Sequence, residues 1–177
     1  MELPVFPLPR LTFFPHTLLP LHVFEDRYRA MTAYCLEHDH LMAVGTVAGV
    51  MGAGRIVRHV KLPDGRYHMV LMGESRVRLH TELPLREGYR VFEADLLADQ
   101  GVDTGQVASI RALAASLSLK SEQAADFLSE VLDSNDPAMI TDRLSALLHP
   151  DQRQELLEMN RVDARLDHLV GVLAGML

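Results

Sequence analysis

The first twenty residues contain five of the chain's nine prolines, at positions 4, 7, 9, 15 and 20. Each proline fixes its own φ angle and pushes the preceding residue into an extended conformation, so this segment cannot form a helix. Apolar side chains alternate with the prolines. The pattern predicts an extended strand at the edge of a sheet or barrel, with Leu8, Phe13 and either Leu18 or Leu19 among the core residues.

The bulk composition predicts a globular protein of the cytoplasm. Of the 177 residues, 48% are hydrophobic and 23% are charged, which suits one domain or two small subdomains. A single cysteine, Cys35, excludes an internal disulfide and fits a reducing compartment. Pro4, Pro7 and Pro9 interrupt any secretory signal helix. No run of about 18 apolar residues is available to span a membrane.

The negative charge is concentrated in the second half of the chain. Residues 1–100 carry 11 Lys and Arg against 12 Asp and Glu, whereas residues 101–177 carry 6 against 12, and the net charge is −7. Binding to nucleic acid depends on neutralising phosphates, so this balance disfavours a general role in nucleic-acid binding. It leaves room for a local basic face on the first half.

One helix is predicted early in the chain, from about Glu25 to Glu37. Phe24, Tyr28, Met31 and Cys35 recur at a spacing that places them on one face of such a helix. Acidic residues in its first turn suit the helix dipole. The apolar stripe therefore predicts that the helix packs on a core and that the cysteine is buried in it.

Five strand patterns follow, at residues 41–50, 55–62, 67–72, 75–80 and 89–97. The second and third flank the turn Pro63-Asp64-Gly65-Arg66, in which proline presets φ and glycine accepts a positive φ. This arrangement predicts a β-hairpin.

From about residue 101 the apolar period becomes that of helices. Helical segments are predicted to begin near Asp103, Ser121, Asp136, Asp151 and Asn160. The change of period predicts a β-barrel-like subdomain over residues 1–100 and a helical subdomain over residues 101–177.

The opening segment is also specific enough to indicate a family. Residues 4–31, which end in Phe24-Glu-Asp-Arg-Tyr-Arg-Ala-Met31, resemble the start of the N-terminal domain of Lon proteases. Shorter stretches at residues 54–57, 62–66 and 152–158 resemble later parts of that domain. The resemblance implies an α+β fold, in which a PUA-like β pseudo-barrel with one early helix is followed by a C-terminal α-helical bundle.

The resemblance also implies a function. In full-length Lon proteases this domain precedes the ATPase and protease parts and is associated with substrate recognition. Here the two lysines, Lys61 and Lys120, do not follow a glycine as a P-loop requires. We therefore expect a stand-alone, non-catalytic module that binds unfolded protein or peptide segments, without catalytic residues, cofactor or metal. The dense cluster Glu37-His38-Asp39-His40 is interpreted as a solvated helix end.

Five basic residues are the candidates for a binding surface: Arg55, Arg58, Arg76, Arg78 and His80. Strand alternation places the last three on one face of residues 75–80, and the first two lie on a nearby strand. Such a surface is either a solvated sheet face balanced by neighbouring glutamates, or a docking face for acidic peptides or nucleic acid. An RNA-binding PUA-like domain is therefore the alternative function.

Overall fold

The computed structural model describes residues 1–101, 105–118 and 128–176. The chain divides into two compact units, Met1–Ala98 and Asp99–Leu177. The first unit, which is described throughout, combines a mixed β-sheet with one helix, and the second unit is helical.

The sheet of the first unit contains strands β1 (Glu2–Pro7), β2 (Leu18–Val23), β3 (Leu41–Gly45), β4 (Val50–Lys61), β5 (Tyr67–Arg86) and β6 (Tyr89–Leu97). Helix α1 (Asp26–Glu37) lies between β2 and β3 in the chain. The strand order is β2-β5-β4-β3-β1-β6, and β5 pairs with β6 as well. This last pairing closes the sheet into a pseudo-barrel and leaves β2 as an additional strand beside the first half of β5.

Strand β1 lies inside the sheet, so the prediction of an edge strand is wrong for residues 2–7. It pairs in parallel with β3 and antiparallel with β6. The Ala94 N–H donates to the carbonyl of Met1 at 2.8 Å, which makes the odd-numbered residues of β1 the hydrogen-bonded partners of β6. The nitrogen of Pro4 therefore faces β3, whose register with β1 begins one residue later, at Val5.

Strands β1 and β3 are buried on both faces. Since successive side chains of a strand point to opposite sides, each strand contributes to two cores. One core includes Phe6, Met42 and Val44 together with Tyr28, Met31 and Cys35 of α1. The other core includes Leu3, Val5, Leu41 and Ala43.

The segment between β1 and β2 contributes Phe13, which is 3% exposed, to the core. This confirms the prediction for that residue. Leu8 and Leu19 pack against the same core while partly exposed, and Leu18 is 61% exposed. A Cβ atom on Gly52 would lie 1.7 Å from the Phe13 carbonyl oxygen, so the segment can cross β4 only because this position is glycine.

The predicted helix is confirmed as α1, with Tyr28, Met31 and Cys35 buried. Phe24 precedes the helix and is 62% exposed, so its predicted place on the buried stripe is wrong. The pattern at residues 41–50 divides into β3 and the start of β4 because Gly45 adopts a φ of +132°. The predicted hairpin around Gly65 is formed by β4 and β5.

The second unit contains helices α2 (Gly105–Ser118), α3 (Pro137–Ser145), α4 (Pro150–Glu158) and α5 (Val162–Ala174), and residues 128–132 are helical too. The predicted start at Asp136 is confirmed, because its side chain accepts a hydrogen bond from the N–H of Ala138 at 3.0 Å. The predicted starts near Asp103 and Ser121 lie outside the described residues. Arg165 is fully buried and contacts Asp99 at 2.8 Å.

Candidate functional site

The outer side of β2, β5 and β4 is open to solvent, whereas their inner side faces the core. Register alone assigns the side chains, since alternate residues of each strand point outward. Three rows of outward-facing residues cross the strands, and we call them together the β2–β5–β4 face: Leu18–Met72–Arg55, Pro20–Val70–Arg58 and His22–His68–Val60. The residues between them, such as Leu71 and Met69, are buried in the core.

A groove of about 450 Å³ lies on this face. All three strands contribute to its lining: Pro20, Leu21 and His22 from β2, Arg58, His59 and Val60 from β4, and His68, Met69 and Val70 from β5. Its size lies within the range of ordinary ligand-binding clefts, about 300–1,000 Å³. A groove of this volume has room for one or two side chains of a partner.

A β-bulge at Val57 directs the basic side chain of Arg58 into the groove. Ile56 pairs with Leu71 on the inner side, and Arg58 pairs with the next residue of β5, so Val57 has no partner of its own. One extra residue reverses which side chains face the core. Without the bulge, Arg58 would point to the same side as the buried Ile56.

The face exposes large apolar side chains. Leu18 is 61% exposed and Val60 is 57% exposed, and Val57 beside them is 55% exposed. Single exposed apolar residues are common on proteins, whereas several together on one face are typical of interaction surfaces. The sequence pattern alone did not predict this cluster, because Leu18 reads as a core residue.

The electrostatic character of the groove is basic. Arg58 is exposed and has no ion pair or hydrogen bond with any residue that the structure describes. No Asp or Glu is among the described residues that line the groove. At the end of the face, Arg55 is neutralised by Glu74, which accepts two hydrogen bonds from it at 2.9 and 3.2 Å and raises the pKa of the guanidinium.

Two histidines meet at the other end of the groove. His22 and His68 are cross-strand partners, and their rings lie 4.7 Å apart between centroids at an angle of 74°. The ring of Phe24 lies 6.0 Å from that of His22 in an edge-on arrangement. These three rings form a partly polar aromatic cluster next to the apolar surface of β2.

A second groove, of about 480 Å³, adjoins the first at Leu21 and His22. It lies between the end of β1, the end of β2 and the start of α1. The exposed ring of Phe24 contributes to it, as do Glu25 and Arg27, which form an ion pair of 2.9 Å with each other. The two grooves together extend the open surface along β2 from Pro20 to Val23.

The outer edge of β2 is poorly suited to pairing with an added strand. The Gly73 N–H donates to the Thr17 carbonyl at 2.8 Å, which identifies the odd-numbered residues of β2 as those hydrogen-bonded to β5. The nitrogen of Pro20 consequently faces the free edge, in the middle of the strand. Because proline has no N–H, it interrupts the donors that an incoming strand needs.

The candidate basic residues of the sequence do not form one continuous face. Arg76 is 1% exposed, so the prediction that it lies on an open surface is wrong. The adjacent Val77 is buried as well, which means that both faces of the strand are covered at this point. Arg78 is exposed. His80 contacts Asp95 at 2.8 Å. Of the five candidates, Arg58 is the one that lines the groove.

The remaining reactive side chains have structural surroundings. Cys35 is fully buried, and burial raises the pKa of its thiol to about 12. The rings of His38 and Tyr34 stack at 3.9 Å, and His40 contacts the Leu36 carbonyl. Within the described ranges, no group of three His, Cys, Asp or Glu side chains is arranged to hold a metal ion. None of the described helices is long and apolar enough to cross a bilayer.

Comparison with protein families assigns nearly the whole chain to one model. Residues 2–175 match the ATP-dependent protease La (LON) substrate-binding domain. The Lon protease of Escherichia coli strain K12 is 24% identical over 199 residues, which cover 98% of this chain and 24% of that protein. Lon protease 2 of Herpetosiphon aurantiacus is 28% identical over 202 residues, again with 24% of its length covered. The chain therefore spans about a quarter of the length of the relatives that it matches.

Solved structures agree on the fold. The N-terminal domain of a Mycobacterium avium complex Lon protease superimposes with a TM-score of 0.81 at 16% identity, covering the whole of both chains. A Lon N-terminal domain protein from Xanthomonas campestris gives a TM-score of 0.74 at 24% identity, with 97% of this chain and 98% of that one covered. The predicted α+β fold, with a PUA-like pseudo-barrel and a helical part, is confirmed.

Proposed function

Since this chain belongs to the family of LON substrate-binding domains, we propose that it recognises unfolded or partly folded polypeptide, and that the segment docks on the β2–β5–β4 face. The module acts by binding and carries out no catalytic step of its own. Its single buried cysteine suits the reducing cytoplasm, where we place its activity.

The observation that carries this proposal is the exposure of Leu18, Val57 and Val60 on one face, around a groove. Folding does not require these side chains to be apolar, because they point away from both cores. A partner that covers them removes apolar surface from water, and such burial contributes roughly 25 cal/mol per Å². Unfolded segments offer matching apolar side chains, which folded proteins keep inside.

Docking of side chains into the grooves accounts for the geometry better than strand addition. Pro20 interrupts the free edge of β2, so a continuous ladder of backbone hydrogen bonds cannot form there. The two grooves instead offer about 450 and 480 Å³ on either side of His22. A segment in extended conformation, with alternate side chains pointing toward the sheet, can occupy both.

RNA binding loses the observation that motivated it. Arg76 is buried, Arg55 is paired with Glu74, and His80 contacts Asp95. A phosphate backbone requires several free cations in a row. The exposed apolar side chains on the β2–β5–β4 face favour polypeptide instead.

Two matched substitutions test the proposal. Leu18→Asp changes a residue that is 61% exposed on the face, and Leu85→Asp changes one that is 63% exposed near the far end of β5. The probe is reduced and carboxymethylated α-lactalbumin, a permanently unfolded protein, and its folded form serves as the control ligand. We expect Leu18→Asp to weaken binding at least about tenfold, or 1.4 kcal/mol, and Leu85→Asp to leave it within about twofold. Equal loss in both variants, or no binding by the unaltered protein, refutes the proposal.

A further inference from the structure

The charges around the groove define the kind of segment that it accepts. The chain as a whole is acidic, with a net charge of −7. The groove has the opposite character, since Arg58 points into it and no carboxylate is among its described lining residues. The sign of the charge at the groove is therefore opposite to that of the whole chain.

The acidic residues closest in sequence to the groove strands already have partners. Glu74 is bound by Arg55, Asp64 by Arg66 at 2.7 Å, and Glu25 by Arg27. Arg58, by contrast, has no partner among the residues that the structure describes. Lys61, on the same strand, lies over the ring of Tyr67, at 5.6 Å from its centroid. The net local charge is therefore positive.

The chemistry of Arg58 selects a carboxylate. A guanidinium group is planar and donates two parallel hydrogen bonds to a carboxylate, a geometry that an ammonium group does not reproduce. The histidine rings at the other end of the groove add polar atoms without adding acidic ones. Backbone carbonyls and neutral amides satisfy such a guanidinium less well than a carboxylate does.

The register of the strands sets the spacing between the basic and the apolar sites. Arg58 belongs to the row with Val70, and Val60 belongs to the next outward-facing row on the same strand. Outward-facing residues two apart on a strand are separated by roughly 6.6 Å. An extended segment that runs along β4 has the same spacing between its own alternate side chains.

Resting on the proposed function, we propose that the groove binds extended polypeptide segments in which an acidic residue and a large apolar residue lie two positions apart. The carboxylate binds Arg58, and the apolar side chain packs on Val60 and Val70. The groove thereby discriminates among unfolded segments, favouring acidic-apolar ones over those in which the apolar residue is flanked by lysine.

Four labelled peptides in a Gly-Ser frame test the inference by fluorescence anisotropy. They contain Asp-Gly-Leu, Asn-Gly-Leu, Lys-Gly-Leu, or Asp directly followed by Leu. We expect the first to bind about 5-fold more tightly than the second, the size of a favourable solvent-exposed ion pair, and the third to bind most weakly. The fourth should lose affinity relative to the first, because its two side chains point to opposite sides.

Variants of the protein locate the effect. Arg58→Gln should make the Asp and Asn peptides equal, and Arg58→Lys should restore only part of the preference. Arg78→Gln, which neutralises another exposed arginine, should leave the preference unchanged. Thermal melting of each variant confirms that it is folded.

Two contrary results have different meanings. If all four peptides bind with the same affinity, the inference is overturned while the proposed function stands. If neither the peptides nor unfolded α-lactalbumin bind, the proposed function fails and the inference fails with it. A preference for Asp that survives in Arg58→Gln also overturns the inference, since the carboxylate is then held elsewhere.

Discussion

Two regions of the β-sheet in the first unit differ in burial: strands β1 and β3 are buried on both faces, whereas β2 is buried on one face only. Every residue of β3, Leu41–Gly45, is buried, and β1 contributes to two separate cores. In β2, by contrast, Leu18, Pro20 and His22 are exposed while the residues between them face the core. The apolar residues of β1 and β3 are explained by folding alone. Those on the outer side of β2 are not, and they therefore indicate a surface that meets a partner.

Removal of residues 1–20 should have the largest effect on stability, because it removes part of the doubly buried region. The truncation deletes β1, which pairs with both β3 and β6, and it deletes the buried ring of Phe13. Burial of three such side chains alone contributes roughly 4–9 kcal/mol, comparable with the whole stability of a domain at about 5–15 kcal/mol. We expect an insoluble or unfolded product. Melting should be monitored by circular dichroism. A cooperative transition near the melting temperature of the full-length protein would show that β1 is dispensable.

The same substitution, valine to aspartate, should have different effects on stability at a buried and at an exposed position of the sheet. Val5 is fully buried in β1, and Val60 is 57% exposed in β4. Val5→Asp places a carboxylate in an apolar core and should cost more than about 4 kcal/mol of unfolding free energy. Val60→Asp should cost about 1 kcal/mol or less, which is the range of strand propensities at exposed sites.

Urea denaturation of the two variants measures both values. We expect Val60→Asp to retain most of the stability of the unaltered protein and to lose affinity for unfolded protein. If Val60→Asp destabilises the domain as much as Val5→Asp does, the outer face is part of the folding core and its assignment as a binding surface is wrong.

A smaller effect is expected from the buried thiol of Cys35, which should make the stability of the protein depend on pH. Burial raises the pKa of Cys35 from 9.0 to about 12 in the folded protein. Between these values the unfolded chain loses the thiol proton and the folded chain keeps it, so stability falls as pH rises. The contribution is fully present below pH 9 and declines by about 1 kcal/mol per pH unit between pH 9 and 11.

Cys35→Ala provides the reference for this measurement. The difference in unfolding free energy between the unaltered protein and the variant should shrink steadily from pH 9 to pH 11, since other titrating groups are common to both. A constant difference over that range would mean that the thiol is not shielded from water in the core.

Much of the fold was predictable because it follows from local patterns. The spacing of Tyr28, Met31 and Cys35 predicted the face that α1 buries, and the turn at Gly65 predicted the hairpin. The sequence Asp136-Pro137 predicted the start of α3, because aspartate caps a helix and proline suits its first position. In each case the signal and the structure that it specifies lie within a few residues of each other.

The position of β1 was not predictable by the same means. Prolines favour sheet edges because they lack a donor, yet Pro4 is accommodated in the interior. What permits this is the long-range register with β6, which turns the proline nitrogen toward the place where the pairing with β3 has not yet begun. Such a register is a property of distant residues.

The candidate site was predicted only in part. The sequence pattern indicates Arg58, but strand alternation indicates Arg76 equally, and Arg76 is buried. Alternation identifies faces and does not say which faces are covered. The bulge at Val57, which directs Arg58 outward, depends on how β4 pairs with β5 and has no signature in the sequence itself.

Site-directed crosslinking shows directly whether unfolded polypeptide lies on the β2–β5–β4 face. Because Cys35 is buried, Val60→Cys or Leu85→Cys each introduces a single accessible thiol for a benzophenone label. On illumination with unfolded α-lactalbumin, we predict efficient crosslinking from position 60 and only background from position 85, with competition by the Asp-Gly-Leu peptide at position 60 alone. Equal crosslinking from both positions, or crosslinking from position 85 alone, would contradict the assignment of the β2–β5–β4 face as the polypeptide-binding surface.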